Sequence, residues 1–301
     1  MSVIQNVVIA GATGNLGGAI LSALLSSGRF NVTAFSRDGS KSVPSGVTCI
    51  QVDYDSIPNL ASHLAGQDAV VSVLGTLAMD AQKNLIQAAA NAKVTRFIPS
   101  EFGSDLENAE NRSFPVFAGK VESQNILKSL ADEGRMTYTF VSNGAFLDWG
   151  LKVGFILDLK NRKAVLHDGG NRKFSATTLA TVGKTVVGIL THAEETKNRL
   201  VKVSEFGSTL KELLQLSQSI TGADGWDITV SDTAVATKKA MELVKQGVYT
   251  DESMFPFVFK AIWGYENGGF YSENDNELLG IEQLSLPNVK EIILKIAQDN
   301  P

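Results

Sequence analysis

The chain has few of the residues that build disulfide frameworks and transition-metal sites. Among its 301 residues are one cysteine, Cys49, and three histidines, His63, His167 and His192. A lone cysteine excludes an internal disulfide framework and a cysteine-based metal cluster. Three histidines far apart in the sequence are more typical of structural or surface positions than of metal ligands. We therefore predict that the protein binds no metal ion and keeps its thiol reduced.

Basic residues are missing from the apolar N-terminal region, and no long hydrophobic run is present. The first Lys or Arg is Arg29, so the positive segment that opens a signal peptide is lacking. Glycines, Thr13 and Asn15 break the apolar stretch before it is long enough to span a membrane. The net charge of −5 argues against a surface for nucleic acid or anionic lipid. We expect a cytoplasmic protein that binds neither nucleic acid nor membranes.

Residues 7–17 carry the pattern around which the rest of the chain is organised. A short apolar strand ends at Ala10, glycines follow at 11, 14 and 17, and helix-forming residues come next. Glycines at this spacing are typical of a dinucleotide site when a strand precedes them and a helix follows, as here. The alternative is a glycine-rich turn without a ligand, which would require neither the strand nor the helix. The first glycine permits the turn, the second admits the pyrophosphate and the third allows close helix packing, while helical N–H groups favour the phosphates. The predicted contacts are Gly11, Ala12, Thr13, Gly14, Asn15, Leu16 and Gly17.

The end of the second predicted strand, residues 31–37, indicates which dinucleotide is bound. An Asp or Glu at this point would bind the 2′-hydroxyl of NAD, but the chain has Ser36 and Arg37, with Lys41 nearby. Arg37 offers a charged fork to a 2′-phosphate. The alternative is a solvated arginine in a loop. We therefore predict NADP(H) as the cofactor, with Arg37 and Lys41 among its ligands.

Strands and helices alternate regularly up to about residue 150. This rhythm predicts an α/β fold with a doubly wound, parallel Rossmann sheet over residues 1–150, with a return strand near 198–204. Ligands of such sheets lie at the carboxyl ends of the strands, which places Gly75 and Thr76, after the fourth strand, beside the cofactor. Asp53, after the third strand, lies either near the adenine or in a turn or helix cap. Residues 104–115 are expected to form an irregular loop over the site.

Beyond residue 150 the alternation ends. Residues 151–301 are interpreted mainly as a smaller, α-rich, substrate-binding lobe. Its segment 251–273 is rich in aromatics. Such a run is more often plain core than pocket, although one or two of its rings would suit a ligand cavity.

The chain also lacks the catalytic pair of the common short-chain dehydrogenases, a Tyr four residues before a Lys. Val116 stands four residues before Lys120, and none of the five tyrosines has a Lys four positions later. An enzyme built on this chain must therefore transfer protons by another route, for which Tyr265 and Tyr271 are candidates after Lys120.

Four stretches resemble the isoflavone reductase-like proteins of the NmrA-like group of atypical short-chain dehydrogenases. They are the glycine loop at 11–17, Arg-Phe-Ile-Pro-Ser-Glu-Phe-Gly at 96–103, Phe-Ala-Gly-Lys at 117–120, and Tyr-Thr-Phe-Val-Ser-Asn at 138–143 with Phe146. The second of these is the most specific. The likeness covers residues 3–150 and is weak afterwards, apart from an Asp-Gly-Gly-Asn turn at 168–171.

The resemblance implies a nicotinamide site with a single catalytic lysine, which Lys120 matches. A partly desolvated lysine beside the nicotinamide serves as acid or base, or as an ammonium that stabilises an oxyanion. Without the resemblance, Lys120 would be read as a solvated residue on an amphipathic helix. The family's enzymes hold the nicotinamide with residues that follow the fifth and sixth strands, and the matching positions here are Pro99, Ser100, Glu101, Phe102, Asn143 and Phe146.

Two functions of different classes follow. The first is an NADPH-dependent reductase of a small aromatic or polyketide-like carbonyl, enone or benzylic ether, with a quinone reductase as a variant, acting as a monomer or homodimer. The second is an NmrA-type redox sensor that binds the dinucleotide and a partner protein without turnover. The lysine at the matched position and the lack of a charged interaction tail favour the enzyme.

Overall fold

The computed structural model describes residues 3–38 and 43–299, so the prediction for Lys41 lies outside the described residues. The strands are β1 (Asn6–Ala10), β2 (Asn31–Ser36), β3 (Thr48–Gln51), β4 (Ala69–Ser72), β5 (Arg96–Ile98), β6 (Thr137–Ser142), β7 (Ala145–Phe146), β8 (Lys163–His167), β9 (Lys173–Thr177), β10 (Arg199–Lys202), β11 (Phe206–Thr209) and β12 (Asp227–Ser231). The helices are α1 (Asn15–Ser27), α2 (Ile57–Leu64), α3 (Met79–Asn91), α4 (Ala109–Arg112), α5 (Ala118–Asp132), α6 (Leu147–Lys152), α7 (Leu179–Thr191), α8 (Leu210–Thr221), α9 (Thr233–Lys245), α10 (Asp251–Trp263), α11 (Asn276–Leu279) and α12 (Leu286–Asp299).

The central sheet has seven parallel strands in the order β10-β6-β5-β4-β1-β2-β3. The predicted doubly wound parallel sheet is therefore confirmed. β1 lies between β2 and β4, and the strand order reverses there. A ligand crevice opens at such a switch point, outside the carboxyl ends of the strands. The glycine loop that follows β1 lies at this crevice.

Helices cover both faces of the sheet, as its apolar strands require. On one face α1 and α7 bury Ile20, Leu24 and Val186 against β1. Their approach is close because Gly183 faces the backbone of α1, where a Cβ would lie 2.7 Å from the carbonyl oxygen of Ala19. On the other face α2, α3 and α5 form a second apolar core. The switch-point loop is thus anchored from both sides.

The part of the chain outside the central sheet is helix-rich but also holds two small sheets that were not predicted. One is β11-β9-β7, and the other pairs β12 with β8 in parallel. Their strands are short or half polar, such as Lys-Phe-Ser-Ala-Thr in β9, so the alternation that marks a strand is weak. Helix α12 was also not predicted, although Val289, Ile293 and Ile296 form a readable apolar stripe on it. A third core, centred on Trp263, unites these elements.

Segment 104–115 differs from the irregular loop that was expected, because it contains α4. Asn108 caps this helix by accepting hydrogen bonds from the N–H groups of Glu110 and Asn111. Asn111, on α4, accepts a hydrogen bond at its Oδ1 from the Nδ2 of Asn267, which lies in the segment after α10 (2.7 Å). Both side chains are buried. The segment is therefore fixed to the C-terminal part of the molecule at the edge of the crevice.

Candidate functional site

The glycine loop places its three glycines in different surroundings. At Gly11, where φ is +91°, a Cβ would lie 2.5 Å from the carbonyl oxygen of Val73, and at Gly17 it would lie 2.0 Å from that of Gly11. Both positions therefore require glycine because of the protein's own backbone. At exposed Gly14 a Cβ would meet only the Gly11 carbonyl at 3.6 Å, an ordinary contact. The protein leaves the space at Gly14 open, as a ligand that approaches the backbone would need.

The remaining residues of the loop divide between the protein and the crevice. Ala12 is buried and Leu16 is half-buried, whereas Thr13 and Asn15 are exposed. Gly14 is the N-cap of α1 and has no side chain to accept the N–H groups of the first turn. These groups, with the positive end of the helix dipole, suit a phosphate.

Arg37 follows β2 and is exposed at the rim of a cleft of about 690 Å³. Asp53 and Tyr54 line the same cleft beside the side chains of α3. The carboxylate of Asp53 accepts the N–H of Asp55 (2.9 Å), so this residue takes the predicted turn role while also facing the cleft. Gly75 and Thr76 are exposed after β4, where a short 3₁₀ helix spans Thr76–Ala78.

The loop after β5 is held in a fixed, compact shape. The Ser100 hydroxyl donates to the carbonyl of Leu74 (2.7 Å), and the N–H of Glu101 donates to the carbonyl of Pro99 (2.8 Å). Phe102 is buried and has φ of +22°, at the border of the left-handed region. The Gly103 carbonyl accepts the N–H groups of Asn143 and Gly144 (both 3.1 Å). The loops after β5 and β6 are thereby joined.

Lys120 lies in the first turn of α5 and reaches back to this loop. Its Nζ donates to the main-chain carbonyl of Glu101 (2.5 Å) and lies 5.9 Å from the centre of the Phe117 ring. Burial lowers the pKa of Lys120, while the negative charge of Glu101 opposes that change. The structure therefore brings together Lys120 and the Ser-Glu-Phe stretch, which are separate in sequence.

Asn143 is fully buried after β6. Its carbonyl accepts the hydroxyl of Thr177 (2.9 Å), and within the described chain its Oδ1 has no hydrogen-bond partner. Phe146 is half-buried and meets Trp149 edge-on at 6.3 Å. The residues predicted after the fifth and sixth strands thus lie on two joined loops, and Lys120 contacts the first of them.

Tyr271 and Tyr265 have different environments. The buried hydroxyl of Tyr271 lies 2.6 Å from that of Ser142 and donates to the Gly103 carbonyl (3.3 Å), so it is used in joining the loops. Burial raises the pKa of Tyr271 well above its usual range. Tyr265 is 66% exposed and stacks on Arg172. These contacts leave Lys120 as the better candidate for proton transfer.

A chain of aromatic rings begins at Phe146 and was not found by sequence reasoning. Trp149 is 6.4 Å from Phe155, which in turn lies 5.3 Å from Phe259 on α10. The three residues are half-buried rather than fully enclosed. Within 251–273 the rings differ: Phe257, Trp263 and Tyr271 are buried core, whereas Phe255, Tyr265 and Phe270 are exposed. The partly open rings Phe146, Trp149, Phe155 and Phe259 are called the aromatic wall below.

Two features are absent from residues 3–38 and 43–299. No group of three or more His, Cys, Asp or Glu side chains in these ranges could hold a metal ion. No helix there is long and apolar enough to cross a membrane.

Comparisons with known proteins agree with this geometry. The NmrA-like family matches residues 4–247. Oxidoreductase aprR of Aspergillus flavus is 34% identical over 295 residues, which cover 96% of this chain and 98% of the relative. Oxidoreductase poxI of Penicillium oxalicum is 32% identical over 309 residues, which cover 95% of this chain and 92% of the relative.

Solved structures show the same fold. The crystal structure of an isoflavone reductase has a TM-score of 0.75 at 19% identity and covers 97% of this chain and 99% of its own. The binary complex of leucoanthocyanidin reductase with NADPH from Vitis vinifera has a TM-score of 0.71 at 18% identity. The match covers 98% of this chain and 100% of the reductase chain.

Proposed function

The chain belongs to the NmrA-like family, and from this premise we propose that it is an NADPH-dependent reductase of a small aromatic or polyketide-like substrate. The observation that carries the proposal is the position of Lys120. Its Nζ is held against the loop that follows β5, at the edge of the sheet where ligands of this fold bind.

The crevice suits NADP(H) on three grounds. The space at Gly14 is open, the first turn of α1 presents N–H groups to it, and Arg37 stands exposed beyond β2. A relative of the same fold is solved with NADPH bound. The glycine loop would hold the pyrophosphate, Arg37 the 2′-phosphate, and the loops after β5 and β6 the nicotinamide. When bound, NADPH supplies the hydride.

Lys120 then supplies the proton. Hydride addition to a carbonyl, or cleavage of a benzylic ether, places negative charge on a substrate oxygen. The ammonium of Lys120 stabilises that charge and gives a proton to the oxygen, which breaks an N–H bond and forms an O–H bond. Partial burial favours this role, because it brings the pKa of the lysine down from its ordinary value.

The aromatic wall supports the choice of substrate class. Phe146 belongs to the proposed nicotinamide site, and the ring contacts continue from it through Trp149 and Phe155 to Phe259 on α10. Partly open aromatic rings offer stacking and edge contacts to a planar aromatic molecule. We assign residues 1–150, with β10, to cofactor binding and residues 151–301 mainly to the substrate.

The test is turnover. Purified protein is titrated with NADPH, and loss of NADPH absorbance is then followed with quinones, enones and aromatic ketones. We expect binding and oxidation with at least one class, and slower oxidation in Lys120→Ala than in the control Lys152→Ala, which removes an exposed lysine from the end of α6. Tight NADPH binding without turnover of any compound in the panel would favour the sensor over the enzyme.

A further inference from the structure

Glu101 carries a buried carboxyl group, and one of its two oxygens has no hydrogen-bond partner among the described residues. The residue is 4% exposed. Its Oε2 accepts the Nε2–H of Gln124 (2.9 Å), whereas its Oε1 has no partner among the described residues. An unpaired buried carboxylate oxygen is costly, so its presence calls for a compensating interaction.

The compensation comes from positive charges on the elements packed around it. The positive charges of Lys120 and Lys128, on α5, and of Arg112, on α4, favour the ionised form of Glu101. Arg112 donates to the Oε1 of Gln124, and Gln124 in turn donates to Glu101. Because the guanidinium can only donate, it fixes which end of the Gln124 amide points to the carboxylate. The orientation of Glu101 is therefore set from outside the site.

Lys120 is tied to the same residue at a different atom. Its Nζ bonds to the main-chain carbonyl of Glu101, and this contact uses one of the three N–H groups of the ammonium. The remaining N–H groups are those that serve a ligand. Side chain and main chain of one residue thus act on the lysine in two ways, one electrostatic and one positional.

The pKa values of Glu101 and Lys120 are displaced towards each other. Burial raises the pKa of Glu101 to about 7, while the Gln124 hydrogen bond and the charge of Lys120 oppose this rise. Burial lowers the pKa of Lys120, and the Glu101 charge opposes that fall. The charge of each group therefore favours the ionised form of the other.

We infer that Glu101 is a positioning residue for Lys120: its buried carboxylate, oriented by Gln124 and Arg112, keeps the lysine in the ammonium form that donates the proton. The inference rests on the proposed function for its consequence in turnover. Once the proton has moved to the substrate oxygen, a neutral amine remains beside a buried carboxylate. That arrangement favours renewed protonation of the amine before the next cycle.

The decisive variant is Glu101→Gln, which removes the charge and keeps the shape. Lysines are labelled by reductive ¹³C-methylation, the Lys120 signal is assigned by its loss in Lys120→Arg, and its titration is followed by NMR. Loss of a neighbouring opposite charge lowers a lysine pKa, so we expect the Lys120 titration to move to lower pH. Glu107→Gln removes an exposed carboxylate from the same segment and should leave the titration unchanged.

A second variant keeps the inference testable if Glu101→Gln does not fold. Gln124→Met removes the donor to the Glu101 carboxylate, which raises the pKa of that carboxyl and lowers that of Lys120 by a smaller amount. An unchanged Lys120 titration in folded Glu101→Gln, or in folded Gln124→Met if the first variant is lost, overturns the inference. The titration needs no substrate, so it stands apart from failure of the proposed reductase activity. Where a substrate is found, the basic limb of kcat/KM should shift to lower pH in the same direction.

Discussion

Replacing Gly14 by valine should weaken NADPH binding by more than about a hundredfold while leaving the fold intact. A Cβ at this position meets only the Gly11 carbonyl at 3.6 Å, and its φ of −77° suits any residue. The cost to the fold is limited to a poorer N-cap, about 1 kcal/mol, because valine caps helices less well than glycine. For a chain of this size that lowers Tm by roughly 1.5–2 °C.

The cost to binding is larger because the branched side chain fills the space assigned to the pyrophosphate. NADPH at a hundred times its Kd stabilises the native protein by about 2.7 kcal/mol, which raises Tm by roughly 4–5 °C. A crowding penalty of about 3 kcal/mol weakens binding by more than a hundredfold. At the same NADPH concentration the site is then half filled or less, and the shift shrinks to about 1 °C.

Thermal unfolding with and without NADPH, combined with circular dichroism, measures both effects. Gly17→Ala is the matched comparison, since its Cβ would lie 2.0 Å from the Gly11 carbonyl oxygen and must displace backbone. That variant should lose several degrees of Tm without any ligand present. A folded Gly14→Val protein that keeps the full NADPH shift would refute the proposed position of the phosphates.

Three further predictions concern charge and protonation. The unmodified protein should prefer NADPH over NADH by roughly tenfold or more, because a charge-assisted contact of Arg37 with the 2′-phosphate contributes about 1.5–3 kcal/mol. Arg37→Asp should remove this preference. Equal Kd values for the two cofactors in the unmodified protein would contradict the prediction. Lys120→Ala should lower turnover by about 10²–10⁴-fold with NADPH affinity nearly unchanged, and Lys120→Arg should not restore it, because arginine does not release a proton near neutral pH. Burial lowers the pKa of His167 to about 4, so its contribution to stability is complete above about pH 6.5 and is lost as the pH falls towards 4, by on the order of 3 kcal/mol. His167→Phe, which keeps a ring between Phe259 and Trp263, should flatten this dependence in urea unfolding, and an equal slope in both proteins would contradict the assignment.

The central sheet could be predicted from the sequence because its strands are apolar and its turns carry glycine at the positions that need it. Strand β1 ends at Ala10, as predicted, and α1 follows the glycine turn. The small sheets could not be predicted in this way. Strand β7 has two residues and β12 is largely exposed, so their pairing depends on partners that are distant in the chain. Periodicity records burial within a segment and carries no information about such partners.

The same distinction applies to the candidate site. Glycine spacing and the Ser-Arg strand end predict the crevice, since each is a short local pattern that directly follows a recognisable strand. The relation of Lys120 to Glu101 depends on β5 and α5 meeting at the sheet edge, and that of Glu101 to Arg112 depends on α4, where an irregular loop was expected.

A chain without the Tyr–Lys pair needs another group to give a proton to the substrate, and Lys120 is the group that we propose. The position of the tyrosine in that pair is occupied here by Val116, which lies in the turn before α5. In the arrangement that we infer, the buried carboxylate of Glu101 acts on Lys120 from the sheet edge rather than from the helix. It follows that the proton chemistry of this site depends on the packing of α5 against the β5 loop, so substitutions at that junction should alter pH dependence before they alter cofactor affinity.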